Sequence, residues 1–502
     1  MKRKCLAIGI ILLFVGTCII PTTAQNISID VSDENRLLPS RAENWAEIQK
    51  LTSSGEGRTY FGESVSICGN TALIGQLLSE KVYVFTQFNN TWMQQAILLP
   101  SDGPLDGHFG WSVSLFGDTA LIGASIDEDG KGSAYVFTRT GSNWTQQAKL
   151  LAIDNQSNDY FGGSVSLSGD TALIGAIGYG DTGAAYVFTR TGSNWTQQAK
   201  LLASDGGAGD WFGYSVSLSG DTALIGAVQD DDCKGAAYIF TRTGTTWAQQ
   251  AKLIASDGTE GRQFGCSVSL DNNTTLIGAK YDRVCCGSAY IFTRSDDIWT
   301  QQAKLIASDG EGNDNFGYSV SLDGSTALIG AVGDGDNGYQ SGSAYVFTRT
   351  GSTWLLQIKL LALDGSQNDV FGNSVSLSGD IALIGASGAE GESGAVYVFK
   401  NFGETSDIKF NFKGGFGVTL WITNYGQVNY TNVPWEISVK GAIFGLINRK
   451  MSGTINIAVG ETIPVGPLRL FNFAPIKITG KVGNLSKTVT GEIIIILVKI
   501  IA

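Results

Sequence analysis

Phe212 to Ala227 reads FGYSVSLSGDTALIGA, and the chain carries seven versions of it. The Phe-Gly pairs begin at Phe61, Phe109, Phe161, Phe212, Phe264, Phe316 and Phe371, spaced by 48, 52, 51, 52, 52 and 55 residues. The copies run on into Gly-x-x-Tyr-(Val/Ile)-Phe, then a Trp, then in most copies Gln-Gln-Ala-Lys-Leu. A fixed period of about 50 residues signals stacked supersecondary units.

The fourth copy shows what each unit builds. Ser215-Val216-Ser217-Leu218 alternates small polar and apolar, the period of a half-buried strand. Gly220-Asp221 suits the tight turn of a hairpin, and Thr222 to Ala227 is the return strand. The polar loop Gln229 to Gly235 leads to a third strand from Ala237, and Thr243-Gly244 turns the chain into a fourth, Trp247 to Ile254. Four antiparallel strands repeated seven times predict an all-β, seven-bladed β-propeller. Small Gly and Ser suit the crowded axis, and the Tyr, Phe and Trp of the outer strands suit the space between blades. Trp45 to Leu51 (WAEIQKL) matches a fourth strand yet precedes the first Phe-Gly, and the seventh copy lacks one after Phe399. The N-terminal strand is therefore expected to complete the last blade and remove the sheet edges.

Seven copies of Phe-Gly-x-Ser-Val-Ser and seven of Leu-Ile-Gly over residues 41–400 resemble the FG-GAP repeat, the unit of the propeller at the head of integrin α subunits. The resemblance implies an extracellular binding or adhesion role. Many family blades carry an Asp-rich calcium loop between the first two strands. Here a two-residue turn stands there in every copy, so calcium dependence does not carry over. Kelch propellers have a similar period, but the paired glycines of that family are missing.

Residues 1–24 have the form of a secretory signal: Lys2-Arg3-Lys4, an apolar run from Cys5 to Ile20, and small residues at Thr22-Thr23-Ala24. Sixteen apolar residues is short for a membrane span, which takes about 20. The mature chain is thus expected to hold no span. Residues 25–43 are a polar lead and 44–402 the propeller. Residues 407–502 lack the repeat and predict a small β-sandwich of about seven strands. The strands read as Ile408–Phe412, Phe416–Thr423, Glu436–Lys440, Thr454–Val459, Leu468–Phe473, Ile476–Val482 and Lys487–Val498. Val418 to Gly426 with Asn432-Val433-Pro434-Trp435 resembles Ig-like adhesion modules of prokaryotic surface proteins.

With 66 Gly, 8 Pro and a net charge of −12, the chain fits tight-turned all-β structure and excludes a nucleic-acid partner, which needs a basic footprint. Five cysteines follow the signal: Cys68, Cys233, Cys266, Cys285 and Cys286. Cys233 and Cys285 occupy equivalent loops, so a bridge between them is one reading and free thiols the other. Sequons at Asn89, Asn143, Asn155, Asn194, Asn272, Asn273, Asn429 and Asn484 are candidate glycosylation sites.

Topology sends the second-to-third-strand loops and the interblade connections to one end. Both are acidic: Asp127-Glu128-Asp129, Asp230-Asp231-Asp232 and Asp334-Gly335-Asp336 in the first set, Asp154, Asp205, Asp309 and Asp364 opening the second. Carboxylates on Gly-bearing loops suit hard cations, which makes Asp334, Asp336, Asp127, Asp129, Asp230 and Asp232 candidate Ca2+ ligands. The competing reading is solvated turns, which Asp favours. Trp211 and His108, each just before a Phe-Gly, either project at this end or pack between blades. His108 is the only histidine, so neither a Ser-His-Asp set nor a His-rich metal site is available beyond it. The sequence therefore reads as a non-catalytic binder of an extracellular protein or glycan, acting through the acidic end. The alternatives are a carbohydrate- or phospholipid-acting hydrolase and a self-associating envelope protein.

Overall fold

A computed structural model describes residues 45–401, except 54–56, 90, 104–106 and 283–285, and the strands between 408 and 501. The signal at 1–24 and the lead at 25–43 lie outside the described residues.

Residues 45–401 form seven four-stranded antiparallel sheets. In blade four the strands are Phe212–Ser219, Thr222–Ala227, Ala236–Thr243 and Thr246–Leu253, innermost to outermost. Blade seven takes its fourth strand from the other end of the propeller: Trp45–Leu51 pairs with Ala395–Asn401, from Trp45 opposite Asn401 to Leu51 opposite Val396. The ring is therefore closed by N-terminal residues, as the repeat pattern predicts.

The inner strands meet with almost no room between backbones. A Cβ at Gly226, in the second strand of blade four, would lie 2.1 Å from the carbonyl of Gly265 in blade five. The same clash recurs at Gly75, Gly123, Gly175, Gly278, Gly330 and Gly385. Close approach lets the two serines of Ser-Val-Ser reach across. Ser215 Oγ donates to Gly265 O at 2.8 Å, and Leu270 N–H donates to Ser217 Oγ at 2.9 Å. Both bonds recur at all seven blade junctions, including blade seven to blade one, where Ser374 bonds Gly62 O and Ile67 N–H bonds Ser376. The serines thus clasp neighbouring blades as well as fitting a narrow axis.

Farther out, the space between blades is filled with side chains. Phe212 is buried, with its ring edge-on to Tyr238 and Phe240 of its own blade, at 5.4 and 6.0 Å. Leu173, Val187 and Leu201 of blade three close over it. Each such buried apolar side chain contributes about 2 kcal/mol. The fourth-strand tryptophans sit at the rim of this core. In blades two to six their indole N–H groups bond a glutamine of the preceding blade, as Trp247 does Gln198 and Trp195 does Gln147. The other glutamine of the pair accepts a backbone N–H, as Gln249 does from Ser204.

The strands after residue 407 belong to a second unit. They form a three-stranded sheet (Ile408–Lys413, Val418–Asn424, Thr462–Leu468) and a five-stranded one (Ile447–Ile457, Tyr430–Gly441, Pro475–Val482, Leu485–Ile494, Leu497–Ile501). The strand expected over 468–473 lies outside the described residues after Leu468, and the strand Thr462–Leu468 was not expected, in a stretch that Pro464, Gly466 and Pro467 made hard to read as strand. The single strand expected over 487–498 is two.

Gly226→Ala is expected to lower the unfolding free energy by about 3 kcal/mol, since neither backbone can withdraw. Gly335→Ala, whose Cβ would meet nothing nearer than 3.8 Å, should stay within about 0.5 kcal/mol of wild type. Denaturant melts followed by tryptophan fluorescence compare the two.

Candidate functional site

The acidic loops lie at one end of the ring, and most of their carboxylates are held by lysine. Lys252 of Gln-Gln-Ala-Lys-Leu in blade four pairs with Asp230 at 2.9 Å and Asp205 at 2.8 Å. The hydroxyl of Tyr238, from Gly-x-x-Tyr, donates to the same two carboxylates. The set recurs around the ring. Lys149 holds Asp127 and Asp102, Lys304 holds Asp282 and Asp257, Lys359 holds Asp334, Asp309 and Asp336, and Lys50 holds Asp364 and Glu390. Lys200 pairs with Asp154 and the Tyr179 hydroxyl. Blade one has no lysine here, and its buried loop acid, Glu80, accepts the His108 N–H at 3.0 Å. Ile97 replaces the lysine, and Tyr83 bonds the neutral Gln76 at 3.2 Å.

This arrangement does not fit the cation expected from the sequence. Asp127, Asp230 and Asp334 are 2–3% exposed, and an ammonium already stands where a metal would sit. Asp336 is bound to Lys359, while Asp129 and Asp232 are exposed on left-handed turn residues. Among the described residues no three His, Cys, Asp or Glu side chains form a metal-binding group. The lysines went unread as partners because they are some 20 residues away in sequence. The signal was the recurrence of the lysine at one position in six of the seven blades.

The titration behaviour follows from these contacts. The Lys252 ammonium holds the Asp205 carboxyl below the usual range, against a burial effect that raises it, and Tyr238 adds to the lowering. For Asp257, Asp309 and Asp364, burial raises the carboxyl but the lysine and tyrosine bonds outweigh it. Burial pushes the Tyr186, Tyr238 and Tyr397 phenols well up, and their aspartates push further. Burial lowers Lys252 and Lys359, but their carboxylates outweigh it and raise both.

At the opposite end, Arg139, Arg190 and Arg242 bond the turn aspartates Asp118, Asp170 and Asp221 and reach a threonine of the preceding blade. Arg294 bonds Asn273, while Arg349 reaches Thr274. Sequons Asn89, Asn143, Asn194, Asn272 and Asn273 are exposed at this turn end. Asn155 is at the loop end, with its amide turned in to Gly132 O at 3.2 Å. Asn429 and Asn484 lie outside the described residues. Cys68, Cys233, Cys266 and Cys286 are free thiols, so Cys233 is unbridged; Cys285 lies outside the described residues. A cleft of about 460 Å3 beside blade seven has its charges paired, Lys50 as above and Arg58 with Glu392 at 2.9 Å.

What the repeat leaves unpartnered gathers at the loop end of the axis. The residue before each Phe-Gly has a positive φ, from 50° at Val370 to 58° at His108, at about 1 kcal/mol each. This turn lets the residue after Phe-Gly donate its N–H back to it, as Tyr214 does to Trp211 O at 3.1 Å. Side chains three apart then meet. Trp211 stacks on Tyr214 with centroids 6.2 Å apart, and His108 stacks on Trp111 at 5.7 Å. Both rings thus stand at the axis end rather than between blades. The position after Phe-Gly carries Glu63, Trp111, Gly163, Tyr214, Cys266, Tyr318 and Asn373, while its neighbours in the motif barely change. The Lys280 ammonium lies 6.0 Å from the Tyr214 ring centroid and 5.1 Å from that of Tyr318. Those tyrosines belong to blades four and six, and non-adjacent blades share a partner only where the ring converges. Burial pushes the Glu63 carboxyl up, against a Ser387 bond that lowers it.

Fold and site together define a closed propeller of one repeated blade, with its sequence variety concentrated around the axis. The family model for the FG-GAP repeat matches residues 45–85, 92–137, 144–188, 195–240, 247–292, 299–347 and 354–399. The chain belongs to the FG-GAP repeat family. No curated protein matches it significantly.

Asp205, Asp257, Asp309 and Asp364 have lowered values, so their stabilisation is complete above the ordinary carboxylate range and is lost as pH falls through the folded values. Lys252, Lys359, Tyr186, Tyr238 and Tyr397 are raised, so theirs is complete below the ordinary values, about 10, and is lost as pH rises through the folded ones. The unfolding midpoint should be flat from about pH 5 to 9 and fall on both sides. Phenolate absorbance at about pH 11 should miss Tyr186, Tyr238 and Tyr397 until the protein unfolds. Lys252→Met, which strands the buried Asp230, should cost about 2 kcal/mol after allowance for the lysine's exposure.

Proposed function

We propose that this chain is a secreted or surface-displayed, non-catalytic binding protein that recognises an extracellular protein or glycan with the loop end of its propeller. The observation that carries the reading is where the repeats differ. Charges shared by the blades are spent inside them, as lysine–aspartate and arginine–aspartate pairs. Side chains that differ from blade to blade collect around the axis at the loop end, with Trp111 and Trp211 about 40% exposed. Scattered exposed apolar residues are ordinary, but a cluster of aromatic rings beside polar groups suits ligand binding. The exposed sequons lie at the other end, so attached glycans would leave the loop end clear.

The non-catalytic reading is supported by the buried loop acids Asp127, Asp230, Asp282 and Asp334, each of which is paired with a lysine. General acid–base work on a glycoside needs two carboxyls free to act on one bond. The second unit is read as an Ig-like β-sandwich that spaces or anchors the propeller. Its two antiparallel sheets support that reading. Among the described residues no helix is long and apolar enough to cross a membrane.

The test is a screen of the full chain against extracellular proteins and glycans, repeated with EDTA. Trp111→Ala with Trp211→Ala should abolish capture. Phe88→Ser with Phe116→Ser, exposed at the turn end, should leave it unchanged. The reverse pattern refutes the reading. EDTA should have no effect, since lysines occupy the loop carboxylates.

A further inference from the structure

We propose that the axis mouth at blades four to six is a receptor for a carboxylate-bearing carbohydrate: Lys280 takes the carboxylate, and Trp211, Tyr214 and Tyr318 take the faces of the sugar. The inference rests on the binding role argued above and gives it a ligand class.

Lys280 is out of keeping with its repeat position. The equivalent residues are Leu77, Ser125, Ile177, Val228, Val332 and Ser387, none of them charged. Its surroundings are unlike those of the blade lysines, each of which holds at least one carboxylate. The Lys280 ammonium has aromatic faces instead: Tyr214 at 6.0 Å, Tyr281 at 5.3 Å and Tyr318 at 5.1 Å. Among the described residues no carboxylate lies within 4 Å of it. Ring faces hold a cation in place but leave its N–H groups without an in-line acceptor, and an ammonium has three of them. A half-buried ammonium with donors to spare is poised for an anion from outside.

The neighbouring surface sets the rest of the ligand. Tyr318, whose ring the ammonium faces, and Trp211, which stacks on Tyr214, are each 39% exposed. Flat exposed rings accept the C–H face of a pyranose, and in the proposed complex a carboxylate of that pyranose rests on the nearby ammonium. Glu63 and Asn373 come from blades one and seven. The Glu63 carboxyl lies close enough to act electrostatically on the Tyr318 phenol, as Lys280 does from its own side. The Asn373 amide is taken up by Gly62 O, Glu63 O and the Ser387 N–H, so it braces the backbone at Glu63 and is not left for a ligand. The net charge of −12 repels dense polyanions, so the fitting ligand carries few acidic groups on a largely neutral chain.

The experiment measures binding of the full chain to a uronate-terminated oligosaccharide, its methyl ester and a sulfated analogue. The ester keeps the ring and loses the charge. The acid should bind at least about tenfold more tightly than the ester. Lys280→Met should remove that difference while leaving the ester unchanged, and Tyr318→Ala should weaken both. Equal binding of acid and ester by the unsubstituted protein overturns the proposal whether or not any variant folds. So does a preference for acid that survives Lys280→Met, tighter binding of the sulfated analogue, or retention of no carboxylated glycan. Failure here with a different ligand held by Trp111 and Trp211 leaves the broader reading intact. Loss of binding only in the Phe88 and Phe116 variants defeats both.

Discussion

The rest of this structure depends on the contact between backbones at the axis. Seven inner strands converge there, and each pair meets glycine to glycine, with a missing Cβ as the only clearance. At that distance a serine hydroxyl on one strand reaches a carbonyl or an N–H on the next. Buried backbone groups that the sheet leaves unpaired must find partners, and the two serines supply them. The Phe-Gly-x-Ser-Val-Ser motif is thus a blade junction read along one strand. Its Phe fills the wedge that opens as blades diverge, its glycine admits the neighbour, and its serines hold it.

The same economy governs charge. Six of the seven blades bring a lysine on the outermost strand to an acid of the incoming connection, and five of these lysines also hold an acid of their own loop. A single buried ion pair is a doubtful source of stability, because desolvation offsets attraction. Here a tyrosine hydroxyl satisfies the same carboxylates, and the lysines stay partly in water. Blade one departs from the set. The lysine becomes Ile97, the loop acid Glu80 accepts the His108 N–H instead, and Gln76 accepts from the Tyr83 phenol. The acidic end is therefore much less of a field of free carboxylates than a composition of −12 suggests.

The architecture was legible because repetition amplifies weak signals. One Ser-Val-Ser-Leu predicts little, but seven in register with Gly-Asp and Leu-Ile-Gly fix strand, turn and return, and the stray WAEIQKL fixes closure. The site was less legible for the opposite reason. Asp334-Gly335-Asp336 looks like a cation loop to local reading, because the partner that alters its meaning is Lys359, on another strand. Tyr214, Lys280 and Tyr318 are farther apart still, one on each of three blades. The second unit has no repeat to amplify its pattern. Pro464, Gly466 and Pro467 hid the strand Thr462–Leu468 from a reading by alternation.

Identical blades can build only a symmetric surface, yet a specific ligand is rarely symmetric. A repeat protein resolves this by varying positions that packing does not constrain. At the Phe-Gly pairs, any change meets a neighbouring backbone. One residue farther along, the side chain faces the opening of the axis, where neighbouring and non-neighbouring blades both lie within reach. Seven different environments can be written there at no cost to the ring, and the chain has written acid, indole, phenol, thiol, amide and nothing at all. The positive φ before each Phe-Gly belongs to the same design. It can set a second variable side chain against the first, so that a blade presents a pair rather than a single group. Trp211 on Tyr214 and His108 on Trp111 are the two blades in which that pair has become a stacked aromatic platform.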